Sequence, residues 1–121
     1  MPATNKEIVA RGNAAFAENN LEGFLAFCAD DVKWTIIGDR TLSGKDAIRL
    51  WLAAMDMGAP TFTVEGVIAE GEQVAAHGDM TMKDEDGKDA CYSYCDIYRF
   101  RGDRIVEMRT FVVKRNSCEK T

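Results

Sequence analysis

Apolar residues follow two rhythms along this chain, and the change between them divides it. Up to about Gly58 they recur mostly at helical spacing. Thr4 and Glu7 stand at capping-box distance, where each side chain can satisfy a free backbone N–H at a helix start. The helix they predict runs to about Glu18 and carries Ile8, Val9, Ala15 and Phe16. Asn20 caps a second, short helix with Leu21, Phe24, Leu25 and Phe27. A strand is predicted over 32–37. Ser43 with Asp46 marks a third helix, striped by Ile48, Trp51, Leu52 and Met55 and ended at Gly58. Beyond Pro60 the period falls to two. Strands are predicted over 62–69, 74–83, 90–100 and 104–113, separated by turns at Gly71-Glu72-Gln73, Asp84 to Gly87, and Gly102-Asp103. Long strands joined by short turns pair antiparallel, so helices precede a meander and the class is α+β.

Strand parity separates two faces. One holds Val32, Trp34 and Ile36; Val74, Ala76, Gly78, Met80 and Met82; Tyr92, Tyr94, Asp96, Tyr98 and Phe100; and Val106, Met108, Thr110 and Val112. It is the larger and more aromatic set, and it is expected to lie under the helices. On residue pattern alone a filled core is the favoured reading of this face over a pocket. The exception is Asp96. A carboxylate placed among apolar side chains must protonate, pair or meet water. Asp96 is therefore either a raised-pKa acid that donates to a ligand oxygen, or a brace that accepts hydrogen bonds from a tyrosine or Thr110.

On the opposite face His77 and Asp79 are two residues apart and can form an acid/base pair. The plainer reading is a hydrogen-bonded histidine at a dimer contact, and only a bulge at Gly78 would turn it inward. Glu107 and Arg109 read as a surface or interfacial pair. Ile97, Phe111 and Val113 keep that convex face partly apolar, as a homodimer contact requires.

Composition narrows the class further. The chain has 121 residues, 46% of them apolar, enough for one buried core and one domain over 1–121 with its core at about 5–113. A net charge of −5 opposes nucleic acid. No run is long enough to span a membrane and no secretory leader is evident, so a cytoplasmic location is expected. Cys28, Cys91, Cys95 and Cys118 form no Cys-x-x-Cys pair and His77 is the single histidine, so no metal and no cofactor is expected, and the thiols are expected reduced. The acidic run Asp84-Glu85-Asp86-Gly87 lacks calcium-loop spacing and reads as a solvated turn.

The segments NLEGFLAFCADD, VKWTIIG, LSGKDAI and CDIYRFRGDRIVEMRTF, in that order and spacing, resemble the nuclear transport factor 2-like superfamily, closest to its SnoaL-like and ketosteroid isomerase-like branch. The resemblance covers Lys6 to about Val113. It implies a cone in which a strongly curved antiparallel sheet (a cystatin-like roll) wraps around the N-terminal helices, usually as a dimer. Asp96, three residues before Arg99-Phe100, matches the isomerase acid that is held protonated in an oxyanion hole, a system that also serves as the standard illustration of a neutral buried acid. The isomerase base falls at or near Ile36 and its helix tyrosine near Gly12, so neither carries over. The epoxide hydrolase set falls on Gly78, Met80 and Val113 and is absent. The expected function is binding of a small hydrophobic ligand, with isomerase or cyclase action on oxygenated steroid- or polyketide-like compounds. Asp96 would be the acid or polar anchor, with Trp34, Ile36, Met80, Tyr92, Tyr94, Tyr98, Met108 and Thr110 around the ligand. The alternative is a non-catalytic ligand-binding or dimerisation module of the same fold.

Overall fold

The computed structural model describes residues 4–54, 61–116 and 118. Helix α1 is Asn5–Ala17 and α2 is Leu21–Leu25. Both start as expected: the Thr4 hydroxyl accepts from Glu7 N at 3.2 Å, and Asn20 Oδ1 accepts from Gly23 N at 3.0 Å. Strand β1, Cys28–Ile36, begins four residues earlier than expected, since the CADD segment is extended. A short strand β2, Arg40–Ser43, precedes helix α3, Lys45–Ala54. The sequence gives β2 little signal because only Leu42 of its residues is buried. Ser43 ends β2 opposite Lys33 instead of capping α3. The proposed end of α3 at Met55 to Gly58 lies outside the described residues.

Strands β3 (Thr61–Glu70), β4 (Gln73–Lys83), β5 (Asp89–Arg101) and β6 (Arg104–Lys114) follow. Two-residue turns join β3 to β4 and β5 to β6, each opened by a glycine with positive φ, Gly71 at 59° and Gly102 at 65°. The six strands form one curved, unclosed sheet in the order β2-β1-β6-β5-β4-β3. All neighbours are antiparallel except β1 and β6, which run parallel because the chain crosses back to β6 only after completing β2 to β5. The helices cover one face, giving the cone-like α+β fold.

That covered face carries the core. Val32, Val74, Ala76, Tyr98, Phe100, Ile105 and Met108 pack against Ile8, Val9, Phe24, Leu25 and Ile48 from the helices. The register from β4 through β5 is unbroken, so alternation holds along both strands. His77 therefore stays on the convex face, opposite Gly66 and Cys95. The bulge lies instead in β3, between Val64 and Gly66. Gly78 is what admits it: a Cβ built there would sit 1.9 Å from the Thr63 carbonyl oxygen.

The cysteines correct one expectation. Cys91 and Cys118 form a disulfide, while Cys28 and Cys95 are free. Linear spacing gave no hint of this pair. Beyond β6, Arg115 N donates to Cys91 O at 2.8 Å, which lays the tail beside β5 and brings Cys118 within a Cα–Cα distance of 5.2 Å.

The two glycines opposite the bulge should respond differently to a methyl group. Gly78→Ala meets immovable backbone and should lower unfolding free energy by about 3 kcal/mol, the upper range for overpacking. Gly66→Ala meets the His77 ring at 2.7 Å, a side chain that can swing aside, and should cost about 1 kcal/mol. Urea denaturation of the two variants gives the comparison, and equal midpoints would contradict it.

Candidate functional site

Asp96 lies at the middle of β5, paired with Ala76 of β4 and Thr110 of β6, and Thr110 in turn pairs with Ile36 of β1. This one row across four strands puts the carboxyl on the helix-covered face. Tyr94 and Tyr98 flank it on the same face, two residues to either side. Trp34 and Met108 stand in the next row beside Tyr98. Asp96, Trp34, Ile36, Tyr94, Tyr98, Met108 and Thr110 are thus neighbours. Met80 and Tyr92 pair with each other four residues farther along the strands, about 13 Å from the acid at strand rise, so the structure does not bring them to it.

The polar atoms around Asp96 form an incomplete chain. Trp34 Nε1 donates to Thr110 Oγ1 at 2.7 Å. The Thr110 hydroxyl faces the Asp96 carboxyl, as does that of Tyr98. Tyr98 itself donates its single proton to Asn13 Oδ1 of α1 at 3.1 Å, and Tyr94 donates to the Thr63 carbonyl at 3.0 Å. Asp96 Oδ1 is shut off from solvent and has no hydrogen-bond partner among the described residues, although the residue as a whole is only half-buried. An unsatisfied buried oxygen of this kind is costly as an anion and cheaper as a neutral acid.

Burial accordingly pushes the Asp96 carboxyl up to about 6 from its ordinary 3.8, with the Thr110 and Tyr98 hydroxyls opposing the shift. Desolvation also raises Tyr94 to about 12 and Tyr98 well above its ordinary value, with the nearby acid adding to both. Both phenols remain protonated donors at neutral pH.

On the β1 side the wall is Trp34 packed edge-on against Trp51 of α3, ring centroids 5.5 Å apart, with the Arg40 guanidinium 5.8 Å above Trp51. On the β3 side Phe62 packs edge-on against Tyr94 at 6.3 Å. A cleft of about 280 Å³ lies there, between α1 and β3, and Asn13 is part of its lining. A second cleft of about 190 Å³ lies at Met80, among Thr61, Thr63, Asp79 and the Cys91–Cys118 disulfide. No group of three or more metal-ligating side chains occurs among the described residues.

Asn13 and Phe62 were not singled out from sequence as site residues. A signal for Asn13 did exist: it falls four residues after Val9 and three before Phe16, a position that helical spacing turns inward. His77 and Asp79 remain on the other face. There Ser93 Oγ donates to Asp79 Oδ1 at 3.3 Å and Arg115 lies 3.5 Å from the same oxygen.

Residues 9–108 match the sequence model of the SnoaL-like domain. No curated protein matches the chain. Among solved structures, a nuclear transport factor 2-like protein of unknown function from Burkholderia pseudomallei superposes with a TM-score of 0.86 at 21% identity, covering 93% of this chain and 92% of that one. TerC, co-crystallized with polyporic acid, superposes with a TM-score of 0.81 at 20% identity, covering 90% and 91%. A Catenulispora acidiphila protein with a ketosteroid isomerase-like fold, in complex with trimethylamine, gives 0.77 at 20% identity over 89% and 86%. At these identities the likeness is one of fold.

The raised acid has a measurable consequence for stability. Its folded-state pKa exceeds the unfolded value, so the folded state holds the extra proton and stability falls as pH rises from about 4 through about 6. At 1.36 kcal/mol per unit the full loss is at most about 3 kcal/mol. Asp96→Asn should therefore match the parent near pH 4 and be more stable at pH 7. Urea titrations across that range that run parallel for the two proteins would refute the assignment.

Proposed function

This chain belongs to the SnoaL-like domain family, and on that footing we propose that it binds a small, mainly apolar, oxygenated molecule on the helix-covered face of the sheet, with Asp96 as its polar anchor. The observation that carries this reading is the Asp96 Oδ1 without a partner among aromatic and aliphatic side chains. A neutral carboxylic acid at that place donates a hydrogen bond to a ligand carbonyl, which fills the vacancy and keeps the acid neutral. Tyr98 and Thr110 hold the carboxyl in place, and Trp34, Ile36, Tyr94 and Met108 supply the apolar surface. Met80 and Tyr92 enter only with a ligand long enough to span the strands.

The acid also bounds the chemistry. Ile36, beside Thr110 in the same row, has no proton-accepting group. One acid without a facing base suits polarisation of an already reactive carbonyl, as cyclase-type ring closure requires, better than a two-base proton shuttle. Binding alone needs the same geometry, and a non-catalytic module uses it equally well. Ile68 and Val113, 65% and 67% exposed on the convex face, support pairing of two copies through that face.

A steroid enone and an anthraquinone serve as carbonyl probes. Each that binds should raise the Tm, since a ligand held only by the folded state adds to its stability. The competent form is the neutral acid, so affinity should increase about tenfold or more from pH 7.5 to pH 5. Asp96→Asn keeps a donor and loses the titration, so its affinity should not vary with pH. Asp96→Val, once shown folded by circular dichroism, should bind at least about tenfold more weakly. Unaltered affinity in the valine variant would end this reading.

A further inference from the structure

The Cys91–Cys118 disulfide stands at the second cleft, of about 190 Å³, on the face of the sheet that Asp96 does not occupy. Thr61, Thr63 and Thr81 form its walls, and Asp79, Arg115 and both cysteines belong to its lining. Strand pairing places it on the convex side: Thr63 lies opposite Asp79, and Thr61 and Cys91 lie on either side of Thr81. The bond can be reached from solvent, because Cys118 is exposed and Cys91 only half-buried. Access of this kind permits thiol exchange, whereas a disulfide sealed in a core is out of reach.

The bridge holds a charged segment in place. β6 ends at Lys114, and Cys118 lies four residues beyond it. Between them Arg115 N donates to Cys91 O at 2.8 Å, and the Arg115 guanidinium lies 3.5 Å from Asp79 Oδ1 of β4. The bridged segment therefore reaches from β6 past β5 to β4. The Asp79 and Arg115 side chains are each 22% exposed, so a solute in the cleft meets a carboxylate and a guanidinium side by side. That pair complements the ammonium and carboxylate that an α-amino acid carries on one carbon. The chain's net charge of −5 disfavours thiols that bring only negative charge.

We propose that Cys91–Cys118 is a strap opened by a small zwitterionic thiol, free L-cysteine being the simplest, which docks on Asp79 and Arg115 and exchanges with the disulfide. The incoming thiolate attacks Cys118 Sγ, the more exposed sulfur. A bond forms between the thiol sulfur and Cys118, the Cys91–Cys118 bond breaks, and its electron pair leaves on Cys91 Sγ. Cys91 then takes up a proton, replacing the one that the thiol gave to solvent. A second thiol molecule attacks the sulfur of the first, releases the small disulfide and leaves Cys118 reduced. The guanidinium assists because it favours the thiolate, the reactive form. Opening removes the covalent hold on Arg115, and the segment beyond β6 then stays on the sheet by noncovalent contacts alone.

The oxidised whole chain is mixed with free L-cysteine, N-acetyl-L-cysteine or 2-mercaptoethanol, and opening is followed by mass spectrometry after acid quenching. Rates are compared per thiolate. Free L-cysteine should react about tenfold faster than either of the others, the gain of one charge-assisted hydrogen bond. In the urea-unfolded chain that preference should vanish, since the order there follows thiol basicity. Arg115→Gln and, independently, Asp79→Asn should each remove it from the folded chain. Peptide mapping should place the first adduct on Cys118. Exchange of the Arg115 amide, read by proton–nitrogen NMR, should quicken about tenfold or more once the bridge is open. The same preference in folded and unfolded chain, a first adduct on Cys91, or unchanged Arg115 protection in the opened chain would each overturn the proposal. So would a bridge that none of the three thiols opens.

Discussion

The register of β4 with β5, and of β5 with β6 from Tyr92 to Arg99, is the constraint from which the rest follows. Ala76, Asp96 and Thr110 share one row because no bulge intervenes between β4 and β5, and because β5 and β6 slip only at Arg99 and Phe100, beyond the acid. A slip of one residue would turn Asp96 out to solvent and bury Cys95 or Ile97 instead. The two-residue turn at Gly102-Asp103 starts the β5–β6 pairing, and the intervening bulge adjusts it before the functional row is reached. Another bulge lies in the edge strand, where Gly78 lets the β3 backbone press close against β4.

Within that frame one carboxyl oxygen is held out of water with no partner. Its stability penalty and its chemical use have the same origin. Removing water from the acid raises its pKa, and an acid that is easily kept neutral is a donor that a serine or asparagine cannot imitate in strength. The neighbouring hydroxyls moderate the shift without cancelling it, because Tyr98 gives its proton to Asn13 and Tyr94 gives its own to the β3 backbone. The acid is thus left open on one side by a set of hydrogen bonds that close elsewhere.

The convex face has a different character. His77 and Cys95 oppose one another on it, Asp79 is engaged by Ser93 and Arg115, and Ile68 and Val113 are left exposed. Asp79 is satisfied near the surface, and among the described residues no buried side-chain oxygen or nitrogen on this face lacks a partner as Asp96 Oδ1 does. The tail beyond β6 is fastened to this side of the sheet by the Cys91–Cys118 disulfide and by the Arg115–Cys91 backbone bond.

Periodicity alone determined the α+β class, both capped helices, five of the six strands and the face on which Asp96 lies, because these depend on spacing within single elements. A carboxylate in an otherwise apolar alternation was likewise visible without coordinates. Tertiary structure decided what depends on distance between elements. It separated Met80 and Tyr92 from Asp96, since parity assigns a face and says nothing of position along it. It supplied Asn13, whose partner Tyr98 lies 85 residues away in the chain. It formed β2, which has too few buried residues to show a pattern, and it joined Cys91 to Cys118 by laying the tail along β5. Local spacing sets which way a side chain points; only the folded chain sets what it meets there.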